Sequence, residues 1–260
     1  MMPRNTKLER SIRGRVALVT GAQSGMGRAT ALLFGDEGAH VAVTDLDRAR
    51  VDEVVDLINA AGGSAVGYRL DVTDSAQRRA VVEDLTQRWG RLDILVNNAG
   101  IALETTIEAE DYETRWERTF AVLLTAQVQL IRDCLPWLSR SDAARIVNIA
   151  STEGLGATRG ISPYTAAKTG VIGLTRSLAV ELGPRGITVN CICPGPILTG
   201  MTAAIPTDAR QEYARRRVAL KRYGDPEEVA QMTLSLVLPA ASFVTGVALP
   251  VDGGLTIRNA

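Results

Sequence analysis

The chain has 260 residues, 46% of them apolar, and its 29 Lys plus Arg balance 29 Asp plus Glu. That size suits one domain with a large core. The zero net charge lacks the basic excess of a general nucleic-acid binder, so no nucleic-acid partner is expected. No apolar run approaches the roughly 18 residues of a membrane span, so no membrane partner is expected either.

Met1 to Arg13 carries Arg4, Lys7, Arg10 and Arg13 without the apolar stretch of a secretory signal. It reads as a flexible basic arm on a cytoplasmic protein, ahead of a single domain over 14–260. Val16 to Thr20 reads as a buried strand and Met26 to Glu37 as a helix stopped near Gly38. Val41 to Thr44 is a second strand, with His40 before it as a surface residue. Arg48 to Ala61 reads as a helix ending at Gly62-Gly63, and Ala65 to Leu70 as the third strand. Ser75 to Trp89 is a helix with Gly90 in the C-cap position. Leu92 to Val96 follows as the fourth strand.

A long helical pattern runs from about Tyr112 to Leu138, with Pro136 predicting an irregular last turn. Ile146 to Ala150 is the fifth strand. A second long helix starts at Pro163 or Tyr164 and closes at Leu182, before Gly183-Pro184. Ile187 to Ile192 is the sixth strand, and Ile197 to Tyr223 is less regular. Pro226 opens a helix to about Leu238, and Val247 to Val251 is a last short strand. Alternating strands and helices predict an α/β fold, with a parallel sheet covered on both faces. Right-handed crossovers leave the Rossmann-type doubly wound order as the leading topology.

Cys134, Cys191 and Cys193 form no disulfide framework. Cys191 and Cys193 share a strand face and read as buried small apolar residues, a reactive thiol being the alternative. With His40 the only histidine, neither a zinc site nor a Ser-His-Asp mechanism is expected, and no metal.

Thr20-Gly21-Ala22-Gln23-Ser24-Gly25-Met26-Gly27 lies between a strand and a helix. Such glycines permit a tight turn and close approach of a pyrophosphate to the helix N-terminus. Asp45, after the second strand, suits either a ribose-hydroxyl acceptor or a helix N-cap. A carboxylate there repels a 2′-phosphate, and the glycine loop has no Arg or Lys; NAD is favoured over NADP. Asp71-Val72 ends the third strand, where Asp71 either accepts from an adenine amino group or caps the helix after Asp74. Asn97-Asn98-Ala99-Gly100 ends the fourth strand, small enough for a flat ring to lie on the backbone. Pro194-Gly195-Pro196 ends the sixth as a rigid wall by a nicotinamide. All of these lie where ligands bind in open α/β sheets.

Tyr164 and Lys168 lie four apart on one helix face. An ammonium beside a phenol lowers its pKa from about 10, giving an acid/base near neutrality. Ser151 supplies a hydroxyl to hold a carbonyl or alcohol oxygen. Alone, the pair is better read as an ordinary helix-start aromatic and a surface lysine; the surrounding motifs overturn that reading in favour of chemistry.

From about Gly14 to Gly254 the chain resembles the classical short-chain dehydrogenases/reductases. The resemblance rests on Thr20 to Gly27, Asn97 to Gly100, Ser151, Tyr164 with Lys168, Pro194-Gly195 and Val251-Asp252-Gly253-Gly254. It implies a seven-stranded sheet, Tyr164 as acid/base, Lys168 lowering its pKa and holding the nicotinamide ribose, and Ser151 binding the reacting oxygen. The implied cofactor contacts are Gly21, Ser24, Gly25, Met26, Gly27, Asp45, Asp71, Val72, Asn98, Ala99, Gly100, Tyr164, Lys168, Pro194, Gly195, Ile197 and Thr199. The implied activity is NAD(H)-dependent interconversion of a small-molecule secondary alcohol and ketone by a homotetramer.

A 3-oxoacyl-[acyl-carrier-protein] reductase is the alternative. Such enzymes commonly prefer NADP and carry a basic cluster before the fifth strand, where this chain has Ser139-Arg140-Ser141-Asp142. A non-catalytic dinucleotide-binding or redox-sensing protein is the contrasting class. Its one support is Leu123, where the family usually has an Asn that holds a water in a proton relay. The variable segment from Gly200 to Tyr223 resembles a lid. Its Arg and Lys residues read as a solvated basic face or as a site for an anionic substrate.

Overall fold

The computed structural model describes residues 7–258. Its sheet holds β1 (Val16–Thr20), β2 (His40–Asp45), β3 (Ser64–Arg69), β4 (Ile94–Asn97), β5 (Arg145–Ile149), β6 (Thr188–Pro194) and β7 (Ala248–Val251). The order is β3-β2-β1-β4-β5-β6-β7, with every pairing parallel. The helices are α1 (Gly25–Asp36), α2 (Arg48–Ala60), α3 (Ser75–Trp89), α4 (Tyr112–Phe120), α5 (Ala126–Leu138), α6 (Ser162–Leu182), α7 (Gly200–Ala203), α8 (Thr207–Arg217) and α9 (Pro226–Val237). This is the expected doubly wound arrangement.

Each strand sends alternate side chains to opposite faces. Val16, Leu18, Leu95 and Ile146 pack with Leu85, Leu130, Leu138 and Leu182 of the helices on one face. Ala17, Val19, Val43 and Val96 pack on the other with Phe34, Ile58 and Val229. Both faces are buried, so the strands read as unbroken apolar runs. Full burial of a side chain such as Phe34 contributes roughly 1.5–3 kcal/mol.

Helix starts follow local chemistry. Asp47 caps α2 by accepting from the N–H groups of Ala49 and Arg50, and Asp74 caps α3 through Ala76 and Gln77. Gly90 closes α3 at φ 71°, a left-handed conformation that disfavours a side chain. The long stretch from Tyr112 to Leu138 is continuous, but a π turn at Ala121–Thr125 divides α4 from α5. That turn carries Val122 and Leu123 inward. Pro136 sits in the last turn of α5, which stays helical to Leu138.

Two expectations need correction. Ile12 is fully buried in the core, so the basic arm does not extend as far as Arg13; its first part, residues 1–6, lies outside the described residues. His40 opens β2 and stacks on Trp89 with ring centroids 5.5 Å apart, so it is more than a surface residue.

The carboxyl ends of the central strands are tied by buried polar groups. Asn97 Nδ2 donates to Asn148 Oδ1 at 2.9 Å, and Asn148 Nδ2 donates to Thr175 Oγ1 of α6 at 3.0 Å. All three residues are at most 2% exposed. Asn148→Ala would leave the Asn97 amide and the Thr175 hydroxyl without these partners. A loss of about 2–4 kcal/mol of unfolding free energy is expected, read as a lowered urea midpoint with unchanged slope.

Candidate active site

Beyond the carboxyl ends of β1 and β4, where the winding of the sheet reverses, lies a cavity of about 370 Å³. Gly21, Ser24, Gly25, Met26, Asp45, Asp71, Val72, Asn98, Ala99, Gly100, Tyr164, Lys168 and Thr199 all line it. Residues from six separate stretches of sequence thus meet in one place.

The glycine loop is clamped to the end of β4. Asn98 Nδ2 donates to the carbonyls of Thr20 and Gly21 at 2.8 and 3.0 Å. Thr20 Oγ1 accepts from the N–H groups of Asn98 and Ala99, both at 3.0 Å. Gly21 has φ 66°, and a Cβ there would lie 2.7 Å from Ala99 Cα. A Cβ on Gly27 would lie 2.2 Å from the Gly21 carbonyl oxygen. Gly27 therefore packs behind the loop and does not line the cavity. The loop leads into α1, whose first N–H groups offer a site for a pyrophosphate. The residues present fit a dinucleotide.

Asp45 accepts from Gln23 N–H at 3.1 Å and from Leu46 N–H at 2.7 Å. It does not cap α2, because Asp47 does. Asp71 likewise leaves the capping of α3 to Asp74. It accepts from Thr73 N–H at 2.9 Å and Thr73 Oγ1 at 2.7 Å. Burial pushes the Asp71 carboxyl up, but the two Thr73 hydrogen bonds and the Arg118 charge outweigh it and hold the group below its ordinary value.

Ser151 follows β5, and its Oγ accepts from Glu153 N–H at 3.1 Å. Tyr164 and Lys168 come from the first turns of α6, which has Pro163 in its opening turn. Lys168 is 3% exposed, and its Nζ donates to the Ile149 carbonyl at 2.7 Å. The ammonium lies 5.6 Å from the Tyr164 ring centroid. Burial lowers the Lys168 pKa to about 8. Burial raises that of Tyr164; hydrogen bonding with Ser151 opposes the rise and the Glu153 charge adds to it. Burial thus dominates at Tyr164 in the chain alone, and the Lys168 ammonium is directed at a backbone carbonyl.

Leu123 is fully buried and packs with Val122 and Ala167, against Ile101 and Tyr164. An apolar contact stands where the family resemblance leads one to expect a hydrogen-bonding amide. Cys191 and Cys193 are fully buried with Ala150, Val171 and Ile172, as expected of small apolar residues.

Several expected contacts lie off the cavity wall. Ser151, Pro194, Gly195 and Ile197 do not line it. Gly195 packs on Asp252, where a Cβ would meet Cα at 2.7 Å, and Ile197 is buried in the core. Leu46, Ile101, Arg118, Val122, Leu123, Ile149, Ala150 and Met201 line the cavity without having been singled out as contacts. Leu46 and Ile101 each stand just beyond a recognised strand-end motif and Ala150 just before Ser151, so extending those motifs by one residue would have found them. Arg118 carries no such signal. In the segment from Gly200 to Tyr223, Arg215 and Arg222 pair with Glu212 and Glu228.

Known proteins share this architecture. A family model described as Enoyl-(Acyl carrier protein) reductase matches residues 21–256. A 3-oxoacyl-[acyl-carrier-protein] reductase of Thermotoga maritima is 41% identical over 249 residues, covering 95% of this chain and 99% of its own length. A short chain dehydrogenase/reductase of Aspergillus oryzae is 37% identical over 256 residues, covering 95% and 97%. The crystal structure of a dehydrogenase/reductase from Sinorhizobium meliloti 1021 superposes with a TM-score of 0.89 at 39% identity, covering 97% of this chain and 98% of that one. A likeness that spans nearly the whole of each chain, in sequence and in fold, places this protein in the classical short-chain dehydrogenase/reductase family of oxidoreductases, which act on CH–OH and C=O groups.

Proposed function

We propose that the protein is an NAD(H)-dependent oxidoreductase that interconverts a secondary alcohol and a ketone, with Tyr164 as the acid/base. The observation that carries this reading is that Tyr164 and Lys168 line the same cavity as the glycine loop and Asp45. A bound nicotinamide dinucleotide would accept or supply the hydride. Ser151 holds the reacting oxygen by a hydrogen bond. Tyr164 gives that oxygen a proton in reduction and takes one in oxidation. Lys168 keeps two N–H donors beyond its bond to Ile149, enough to hold ribose hydroxyls. Ile101, Val122 and Leu123 keep that side of Tyr164 apolar.

Asp45 supports NAD over NADP. Its carboxylate sits on the glycine loop and lines the cavity, where it would accept from ribose hydroxyls and repel a 2′-phosphate. The Thermotoga relative favours a second reading, a 3-oxoacyl-[acyl-carrier-protein] reductase. Asp142 tells against it. It stands before β5, where a basic cluster would be expected, and pairs with Arg15 and Arg91. A homotetramer in the cytoplasm completes the proposal. Exposed Phe243 and Ile257, on either side of edge strand β7 in the sequence, support association.

Tyr164→Phe is expected to lower turnover roughly 10²–10⁴-fold while dinucleotide binding stays near wild type. In the wild type, alcohol oxidation is expected to rise with pH, because it needs the phenolate and the phenol's pKa lies above its usual value. Tyr164→Phe should lose that dependence. Turnover of the variant above about a tenth of wild type would remove the assigned role.

The Asp45 carboxylate is expected to disfavour NADP by about 1–3 kcal/mol in kcat/KM relative to NAD. Steady-state kinetics with both dinucleotides measure this, and Asp45→Ser should narrow the gap. Equal wild-type kcat/KM values would mean that Asp45 does not face the ribose.

Leu123→Asn is expected to destabilise the fold by about 2–4 kcal/mol, since it removes buried apolar contacts and brings in an amide with no partner. Thermal melting and kcat on the same sample check this. An unchanged melt with raised kcat would instead show that Leu123 limits proton exchange.

A further inference from the structure

Glu153 lies in the short 3-10 turn Thr152–Gly154 that follows β5 and Ser151. Its backbone N–H donates to Ser151 Oγ at 3.1 Å. The turn that carries this carboxylate thus also fixes the hydroxyl assigned to the reacting oxygen. One carboxylate oxygen is accounted for, because Thr158 Oγ1 donates to Oε1 at 2.8 Å. The other, Oε2, is buried and accepts no hydrogen bond within the chain. Buried polar atoms are nearly always partnered, and a carboxylate oxygen left bare is costly. Two phenols feel its charge: Tyr164 at the reaction centre and Tyr213 on lid helix α8. Glu153 is thus tied by its backbone to Ser151, and its charge reaches both the assigned acid/base and α8.

We propose that Glu153 determines substrate specificity: its Oε2 accepts a hydrogen bond from a second hydroxyl of the substrate, on the carbon next to the reacting one. Preferred substrates are then vicinal diols, polyols and the matching hydroxyketones. This rests on the oxidoreductase reading above. A neutral hydroxyl completes the carboxylate without bringing in a further charge. An anionic group beside the reacting carbon would meet the carboxylate directly.

The test compares cyclohexanol with both diastereomers of 1,2-cyclohexanediol, with NAD, in wild type, E153A and E153Q. Wild type is expected to favour at least one diol roughly 10–100-fold in kcat/KM, the range set by leaving a buried acceptor without its partner. E153A should lose that preference, and E153Q, which keeps a carbonyl acceptor, should recover most of it. If E153A does not fold, E153L replaces it. A wild type with no diol preference overturns the proposal. So does a variant that loses activity equally on alcohol and diol, because that is the signature of a disturbed Ser151 turn.

If neither substrate is turned over, the oxidoreductase reading fails on its own, and binding decides the role of Glu153. Calorimetric binding of a diol to the Tyr164→Phe protein with NAD, lost on adding E153A, keeps the assignment. No diol binding overturns it.

Discussion

A parallel sheet buried on both faces leaves polar chemistry little room except at its edges, and every strand here ends on the same edge. That constraint organises the molecule. Side chains within the strands are apolar because both faces are covered. Polar side chains gather where β1, β4 and β5 stop, and they must satisfy one another there. Asn97, Asn148 and Thr175 do so in a buried chain, and Asn98 and Thr20 close the glycine loop. The cavity is what remains between these fixed ends.

The electrostatics of the site follow from the same crowding. Lys168 enters from α6 and is buried, so its ammonium turns to the nearest strand-end carbonyl, that of Ile149. Burial lowers its pKa and raises that of Tyr164. Both shifts favour neutral groups in the chain alone. Ser151 offsets part of the rise on Tyr164, whereas Glu153 adds to it. The Ser151 turn thus sets part of the field around the phenol.

Much of this was legible in the sequence because strand ends and helix starts use few residue types. The glycine loop, Asn97 to Gly100 and the Tyr164–Lys168 spacing all name backbone geometry directly. Asp45 and Asp71 were ambiguous because a carboxylate after a strand fits both a cap and a ligand site. Their neighbours Asp47 and Asp74 resolved the ambiguity, and only coordinates show which carboxylate reaches the helix N–H groups. The π turn at Ala121–Thr125 was hidden, since one extra residue per turn leaves no compositional mark. Arg118 and the bare Oε2 of Glu153 were hidden for a different reason. Both depend on which side chains converge from distant segments. The same limit applies to Lys168, because the spacing gave its helix face and not its carbonyl partner.

The central claim is that this cavity carries hydride transfer between a carbinol carbon and a dinucleotide, with Tyr164 moving the proton. The most direct measurement supplies NAD and a secondary alcohol deuterated at the carbinol carbon, then follows the label by mass spectrometry. The account predicts one deuterium in the reduced dinucleotide, a slower rate than with the unlabelled alcohol, and loss of the reaction in Tyr164→Phe. Reduced dinucleotide without deuterium, or equal activity in the variant, would contradict it.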